Sequence, residues 1–498
     1  MAAQGKGITG KPAAPIDCRS VGSIPTDSNM KPTLLEAYKL LERGTLAFAE
    51  IESVGIRIDA DYLDRAIARV TKKIDRLHQE LQEDETFQEW EKLEGNGTSL
   101  SSRHQLFKVL TAQGHKLEGK TKKGNEKKDG STLRNLNLPF VDKWLDWDFL
   151  KNKVKTTYLE GIRREVVDDI LHSGYSLNTV ISFRSSGSEP NFQNIPIRSP
   201  KYGKMIRQAF IPREGNALVE VDYSGIEVKI SACYHKDPSM LMYIKDKSKD
   251  MHRDMAAECY MIEVKDVSKE SRYAAKNQFV FPQFYGSVYF QCAPALWESI
   301  GKMKLTRADG VSLRDHLREQ GIKKLGDCNP KESPKKGTFE HHIKEVEQRF
   351  WNERFPVYTQ WKESWYRKYR ERGYFDMKTG FRCSGLMQRN DVLSYGIQGS
   401  AFHCLLWSII EIQREMKRRK MKAKIVGQIH DSVICDCPLG EIDEFLTLTK
   451  ETMTVKLPQA WEWIIVPLEV ECEVGKENWH AKVPYIELGN GKWGPKDG

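Results

Sequence analysis

The stretch Ala217-Leu-Val-Glu-Val-Asp-Tyr-Ser-Gly-Ile-Glu227 decides the reading of this chain, together with its distant counterpart Lys424-Ile-Val-Gly-Gln-Ile-His-Asp431. Each begins as an apolar, β-branched run that leads to an aspartate. Each therefore predicts a buried strand that delivers a carboxylate at its end, where a rigid scaffold fixes it. Between them lie Arg272 and Lys276, four apart and so on one helix face, followed by Phe281 and Tyr285-Gly286. Alone, an aspartate ending a strand is ordinarily a turn or a cap, and a basic helix is ordinarily solvated. In this order, two separated carboxylates and a basic helix are the equipment for holding divalent cations against a nucleoside triphosphate.

The ordered set resembles the family A DNA polymerases, the DNA polymerase I type, from about Pro32 to the C-terminus. Their first catalytic motif matches Val221 to Lys229, the second Arg272 to Gly286 and the third Gln428 to Asp436. Flanking signatures agree: Arg184-Ser-Ser, Glu189-Pro-Asn-Phe-Gln-Asn-Ile-Pro196, Ile206-Arg-Gln-Ala-Phe210, Asp250-Met-His-Arg253, Gln398-Gly-Ser-Ala401 and Gly475-Lys-Glu-Asn-Trp479. The resemblance implies an α+β (mixed α/β) right hand, with an antiparallel palm sheet and mostly helical fingers and thumb. It implies a template-directed DNA polymerase that adds dNTPs to the 3′-hydroxyl of primer-template DNA with two Mg²⁺ ions, Mn²⁺ substituting. Two other readings stand beside it. A single-subunit phage-type RNA polymerase shares the Asp, Lys and His-Asp logic and often reads His-Asp-Ser, as His430-Asp-Ser432 does here. A non-catalytic DNA-binding relative is the other. Glu227 and Asn191 to Pro196 favour DNA synthesis over the first, and retention of Asp222, Asp431 and Lys276 favours catalysis over the second.

The resemblance also assigns roles. Asp222 and Asp431 are the bridging metal ligands, with the backbone carbonyl of Tyr223 as a third. The family commonly has Glu after the second aspartate, where this chain has Ser432, and a hydroxyl cannot supply that charge. Lys276 contacts the α and γ phosphates and protonates the departing pyrophosphate, while Arg272 and His252 hold the outer phosphates. Glu227 occupies the place of a ribose 2′-hydroxyl. Arg184, Gln193, Asn194 and Gln398 touch primer and template, and His430 lies beside the primer terminus. The spacing departs from the family at one point: Lys276 to Tyr285 is nine residues, one more than usual, and Pro282 lies in the same stretch. On an unbroken helix Phe284 would lie nearer the Lys276 face and Tyr285 would turn away. A π-bulge or a proline kink absorbs such a residue and restores Tyr285. Phe281 is then the base and sugar platform, with Phe279 the alternative.

The rest of the chain agrees with a large nucleic-acid enzyme. At 498 residues and 57.4 kDa it exceeds what one hydrophobic core supports. The 78 Lys and Arg against 69 Asp and Glu give +9, which suits a polyanionic partner without demanding one. The ten cysteines include no Cys-x2-Cys pair and read as reduced thiols, not a zinc site. No apolar run is long enough for a signal peptide or a membrane span, so a cytoplasmic, reducing compartment is expected. The expected organisation is a flexible leader (1–31), a helical base (32–80), a thumb (81–170), palm (171–249), fingers (250–364) and palm again (365–498). The fingers carry an insertion around 290–345, roughly 40 residues longer than short bacterial members of the family, with a surface loop at Lys331 to Gly337. Lys116, Lys120, Lys122, Lys123, Lys127 and Lys128 at the thumb tip, with Lys151, Lys153 and Lys155, are expected to track phosphates. A monomer without its own 3′→5′ exonuclease is expected, with replisome proteins as further partners.

Overall fold

The computed structural model describes residues 32–115, 130–134, 136–196 and 200–496. The expected leader and the lysines from 116 to 128 lie outside them.

The strand Asn216–Tyr223 is the spine of a six-stranded antiparallel sheet. On one side it pairs with Ser432–Pro438, which continues to Lys424–Ile429; on the other it pairs with Val470–Gly475, followed by Val483–Gly489 and Lys492–Pro495. Strand alternation explains its two faces. Ala217, Val219, Val221 and Tyr223 enter the larger core, under the 31-residue helix Arg389–Arg419 and the helix Ile226–His235. Leu218, Glu220 and Asp222 point the other way. Leu218 joins a second core with Ile434, Val426 and Ile429, and the carboxylates follow it toward the open end of the strand.

That second core continues into the thumb, through Leu63, Val70, Trp90, Trp144 and Trp147. Helix Ala60–Gln82 starts at its Asp59 cap and packs along the paired segment Pro139–Glu160. The expected boundary at residue 81 therefore cuts through one core, because Leu63 to Leu81 spend their apolar face on thumb partners. Of the three lysines on the returning helix, Lys151 bonds Ser101 and lies over Trp147, Lys155 pairs with Glu160, and Lys153 is exposed. The fingers are helical. The stretch from 290 to 345, where an insertion is expected, holds helices Tyr289–Lys302 and Leu313–Glu319 and the start of Phe339–Arg349, and Lys331 to Gly337 forms an exposed, turn-rich loop.

Candidate active site

Asp222 lies on the last turn-ward residues of the central strand, and Asp431 sits in the two-residue connection between Lys424–Ile429 and Ser432–Pro438. Ser432 pairs in register with both Asp222 and Ile429, so the connection folds Asp431 directly beside Asp222. His430 takes a left-handed φ of 51° there, a conformation that costs a non-glycine residue and is met at functional turns. The Tyr223 amide donates to the Asp431 carbonyl at 3.3 Å, which places the backbone of Tyr223 at the same point. Its ring is buried on the opposite face, bonded to Ser408 and Met453.

The two carboxyls lie near enough to act on each other's ionisation. Burial first, then the charges of Asp431, Glu220 and Glu471, raise the Asp222 carboxyl well above the usual range. Burial raises Asp431 as well, with Glu227 adding to it. Two carboxylates this close hold either a shared proton or a cation. Their donor atoms are oxygens, which fits hard divalent ions such as Mg²⁺ and admits Mn²⁺. Among the described residues no group of three or more His, Cys, Asp or Glu side chains converges to hold a metal. The fit therefore rests on the two aspartates and main-chain oxygen. Ser432 is buried, and its hydroxyl is committed to the Ile429 carbonyl at 3.0 Å.

The fingers helix reaches this part of the palm through Tyr285, whose hydroxyl bonds Glu227. Lys269–Ala275 runs into a π-helical turn at Lys276–Val280, marked by the Phe281 amide bonding the Lys276 carbonyl, and then into Phe281–Phe284. This wide turn takes up the additional residue between Lys276 and Tyr285. Phe279 consequently points inward and is fully buried against Phe350, and Phe284 packs on Phe350, Trp351, Phe355 and Tyr358. Phe281 stays half-exposed, with its ring edge-on to His252 at 5.7 Å and the Lys276 ammonium 5.1 Å from its centroid. Arg272 is anchored by Asp250, the capping residue of the His252 helix, at 2.6 Å. Burial, then the charges of Lys276 and Arg272, lower the His252 imidazole to about 4. His252 is thus a neutral partner at neutral pH, and its buried Nδ1 has no hydrogen-bond partner among the described residues.

Tyr285 bridges the two halves. Its hydroxyl donates to Glu227 at 2.6 Å, and Arg184 meets the other Glu227 oxygen at 3.5 Å. Glu227 stands in the first turn of the helix that follows Asp222, after Gly225 at φ 61°. Gln193 donates to Ser185 and to Gln428, while Asn194 ends a short 3₁₀ turn. Gln398 is half-buried on helix Arg389–Arg419, one residue before Gly399. A Cβ at Gly399 would meet the Ser182 carbonyl at 2.3 Å, so only glycine lets the helix approach the Arg184 segment this closely.

Sequence reasoning passes over Gln428, Glu220 and Glu471. Gln428 is fully buried, accepts from Ser185 and Gln193, and donates to the His430 carbonyl at 2.7 Å, tying the Asp431 turn to the Arg184 segment. Its signal is a polar residue within the apolar run that follows Lys424. Glu471 stands across the ladder from Asp222, and Glu473 across from Glu220, whose carboxylate is held by Trp479 and Lys482. Their signal is the alternation of Glu471-Cys-Glu473, which puts both acids on the Asp222 face.

Comparison with known proteins bears on the family and the fold. The model of DNA polymerase family A matches residues 67–311 and 341–481, and the gap between the two matched segments falls within the stretch where an insertion is expected. DNA polymerase I of Lactococcus lactis subsp. lactis is 27% identical over 450 residues, covering 87% of this chain and 44% of that protein. The thermostable DNA polymerase I of Thermus aquaticus is 27% identical over 467 residues, covering 90% of this chain and 49% of that one. The chain thus spans about half the length of the curated relatives it matches. Among solved structures, the polymerase domain of Pol1 from M. smegmatis, in complex with DNA primer-template and dNTP, aligns with a TM-score of 0.68 at 23% identity. It covers 89% of this chain and 70% of that one, and shares its fold. With the family model matched over most of its residues and the motifs in place on that fold, this chain belongs to DNA polymerase family A.

Proposed function

We propose that the chain is a template-directed DNA polymerase, extending a DNA primer with dNTPs by two-metal-ion nucleotidyl transfer. The observation that carries this reading is the Asp222–Asp431 pair, brought together by strand register, with the helix that carries Arg272 and Lys276 tied to the same palm segment through the Tyr285–Glu227 bond. Asp222, Asp431 and the Tyr223 carbonyl would hold the divalent ions. Such ions, when bound, supply positive charge for the triphosphate and favour the ionised form of the primer 3′-hydroxyl.

The chain's own groups do the rest. Lys276 and Arg272 present fixed cations to the phosphates, and Lys276 has a proton to give to the departing pyrophosphate. Neutral His252 offers a hydrogen bond where a third cation would repel the other two. The exposed face of Phe281 gives the incoming base and sugar an apolar platform. Glu227, held by Tyr285 and Arg184, fills the space in which a 2′-hydroxyl would sit. Arg184, Gln193, Asn194, Gln398 and His430 line the approach of primer and template, where minor-groove acceptors are alike for every correct pair. The described residues are accounted for by palm, fingers and thumb, so removal of mismatched ends is assigned to another segment or protein.

Primer extension on a defined template tests the reading. Extension with four dNTPs in template order supports it, extension with rNTPs alone would favour an RNA polymerase, and DNA binding without extension would favour a non-catalytic relative.

A further inference from the structure

After strand Val470–Gly475 the chain folds back on the palm in a short turn. The Asn478 side chain accepts the His480 and Ala481 amides, each at 3.0 Å, and the Trp479 amide donates to the Phe210 carbonyl at 2.8 Å. A Cβ at Gly475 would meet the Asn478 carbonyl at 2.6 Å and the Lys482 Cγ at 3.1 Å. The bare glycine therefore lets the turn close and the Lys482 stem pass over it. Lys482, the first residue after the segment matched to the family, is thereby delivered to the sheet face that carries Asp222.

Its ammonium pairs there with Glu220 and, at 2.6 Å, with Glu473, and only 9% of its side chain is exposed. The two glutamates stand opposite each other on neighbouring strands, two residues along from the opposed Asp222 and Glu471. Like charges so placed repel, and the charge of Glu220 also bears on Asp222. Two other groups surround Glu220. The Trp479 indole donates to it at 2.7 Å, and Arg207 lies over that ring at 4.0 Å. Arg207 is buried, but its Nε and Nη2 find no hydrogen-bond partner among the described residues, so direct pairing of Glu220 falls to Lys482. Without that ammonium, a buried carboxylate two residues from Asp222 on the same face would be unbalanced, and the attraction of the face for a divalent ion would rise.

Resting on the metal-dependent reading of Asp222 and Asp431, we propose that Lys482 is a positioning residue that sets how tightly this pair holds divalent ions, by cancelling the charge of Glu220 beside it. Mn²⁺ binding to the complex with primer-template, followed by the EPR signal of the free ion, tests this. K482M keeps the length and apolar stem of lysine and should bind Mn²⁺ about fivefold more tightly than wild type, while E220Q should bind about fivefold more weakly. K482M/E220Q should return to within about twofold of wild type, and K482R should match it. The Mg²⁺ concentration for half-maximal incorporation should move in the same directions. A lysine that only packs would, when lost, weaken ion binding or leave it unchanged. Unchanged or weaker Mn²⁺ binding in folded K482M, or unchanged binding in E220Q, would therefore overturn the proposal. Should K482M fail to fold, the double variant decides: affinity near wild type supports the proposal, and affinity as weak as that of E220Q overturns it. Asp222→Asn is measured alongside. If it removes Mn²⁺ binding while the Lys482 and Glu220 variants change nothing, only this inference is lost; if it leaves Mn²⁺ binding intact, the metal reading of the aspartates is lost.

Discussion

The Tyr285 hydroxyl, at the end of the fingers helix, donates a 2.6 Å hydrogen bond to Glu227 on the palm. The acceptor is a carboxylate that Arg184 also meets at 3.5 Å, so the bond is charge-assisted, and its removal costs about 1.5–3 kcal/mol of local order. It joins two motifs that are 58 residues apart in the chain.

Discrimination against ribonucleotides is predicted to rest on this contact. Glu227→Ala opens space over the sugar and should raise rNTP relative to dNTP efficiency by about tenfold or more, the scale of one well-placed steric contact. Tyr285→Phe keeps the carboxylate but frees it, and should give a smaller shift in the same direction. The check is the ratio of kcat/KM for matched dNTP and rNTP, and an unchanged ratio in Glu227→Ala would place the gate elsewhere.

Phe281 and Phe279 should separate cleanly. Phe281→Tyr adds a hydroxyl on an exposed ring beside Lys276 and is expected to ease dideoxynucleotide use, because that hydroxyl can stand in near the missing 3′ group. Phe279→Tyr puts the same hydroxyl into a dry site against Phe350, so it should cost about 1–3 kcal/mol of stability with no gain in dideoxynucleotide use. Chain-termination assays and denaturant melts on both variants decide the matter.

Acid sensitivity is expected to have an identifiable source in His403. This fully buried imidazole donates Nε2–H to the Phe183 carbonyl at 3.1 Å and accepts from Thr379 at Nδ1, and burial lowers it to about 3. Because the folded value lies below the unfolded one, the unfolded chain binds the additional proton. Stability is complete above about 6.5 and is lost as pH falls from there toward 3. Between pH 7 and 5 the wild type should lose about 2 kcal/mol more than His403→Gln, which has no such proton to bind. Equal losses in urea melts would show that His403 does not control the response.

Mismatched primer ends should survive incubation with the purified chain and Mg²⁺ in the absence of nucleotides. Shortening of an end-labelled, 3′-mismatched primer would contradict the assignment of proofreading to another segment or protein. Its persistence in Asp222→Ala would reveal a second nuclease site.

The two aspartates are legible from local sequence because each follows an apolar, β-branched run, and hydrophobic alternation along Asn216–Tyr223 already sets which side chains share their face. The additional residue before Tyr285 is legible only as a count. That it forms a π turn after Lys276, sending Phe279 and Phe284 inward, depends on the aromatic cluster of Phe350, Trp351 and Phe355 waiting for them. Glu471 opposite Asp222, and Gln428 bonded to Ser185 and Gln193, are products of contacts between segments far apart in the chain. Local pattern marks these residues as unusual, but it does not say which distant segment each one meets.

The central claim is that Asp222 and Asp431 jointly support DNA synthesis, and single-turnover incorporation of one templated dNTP with Mg²⁺ tests it most directly. Binding of the same primer-template is measured in parallel for wild type, Asp222→Asn and Asp431→Asn. The account predicts rapid incorporation of the complementary dNTP by wild type. It predicts a loss on the order of a thousandfold or more in either variant, with DNA affinity kept within a few fold, since the carboxylates act on charge at the reacting phosphate and the DNA is held elsewhere. Substantial Mg²⁺-dependent incorporation by either purified variant would contradict it.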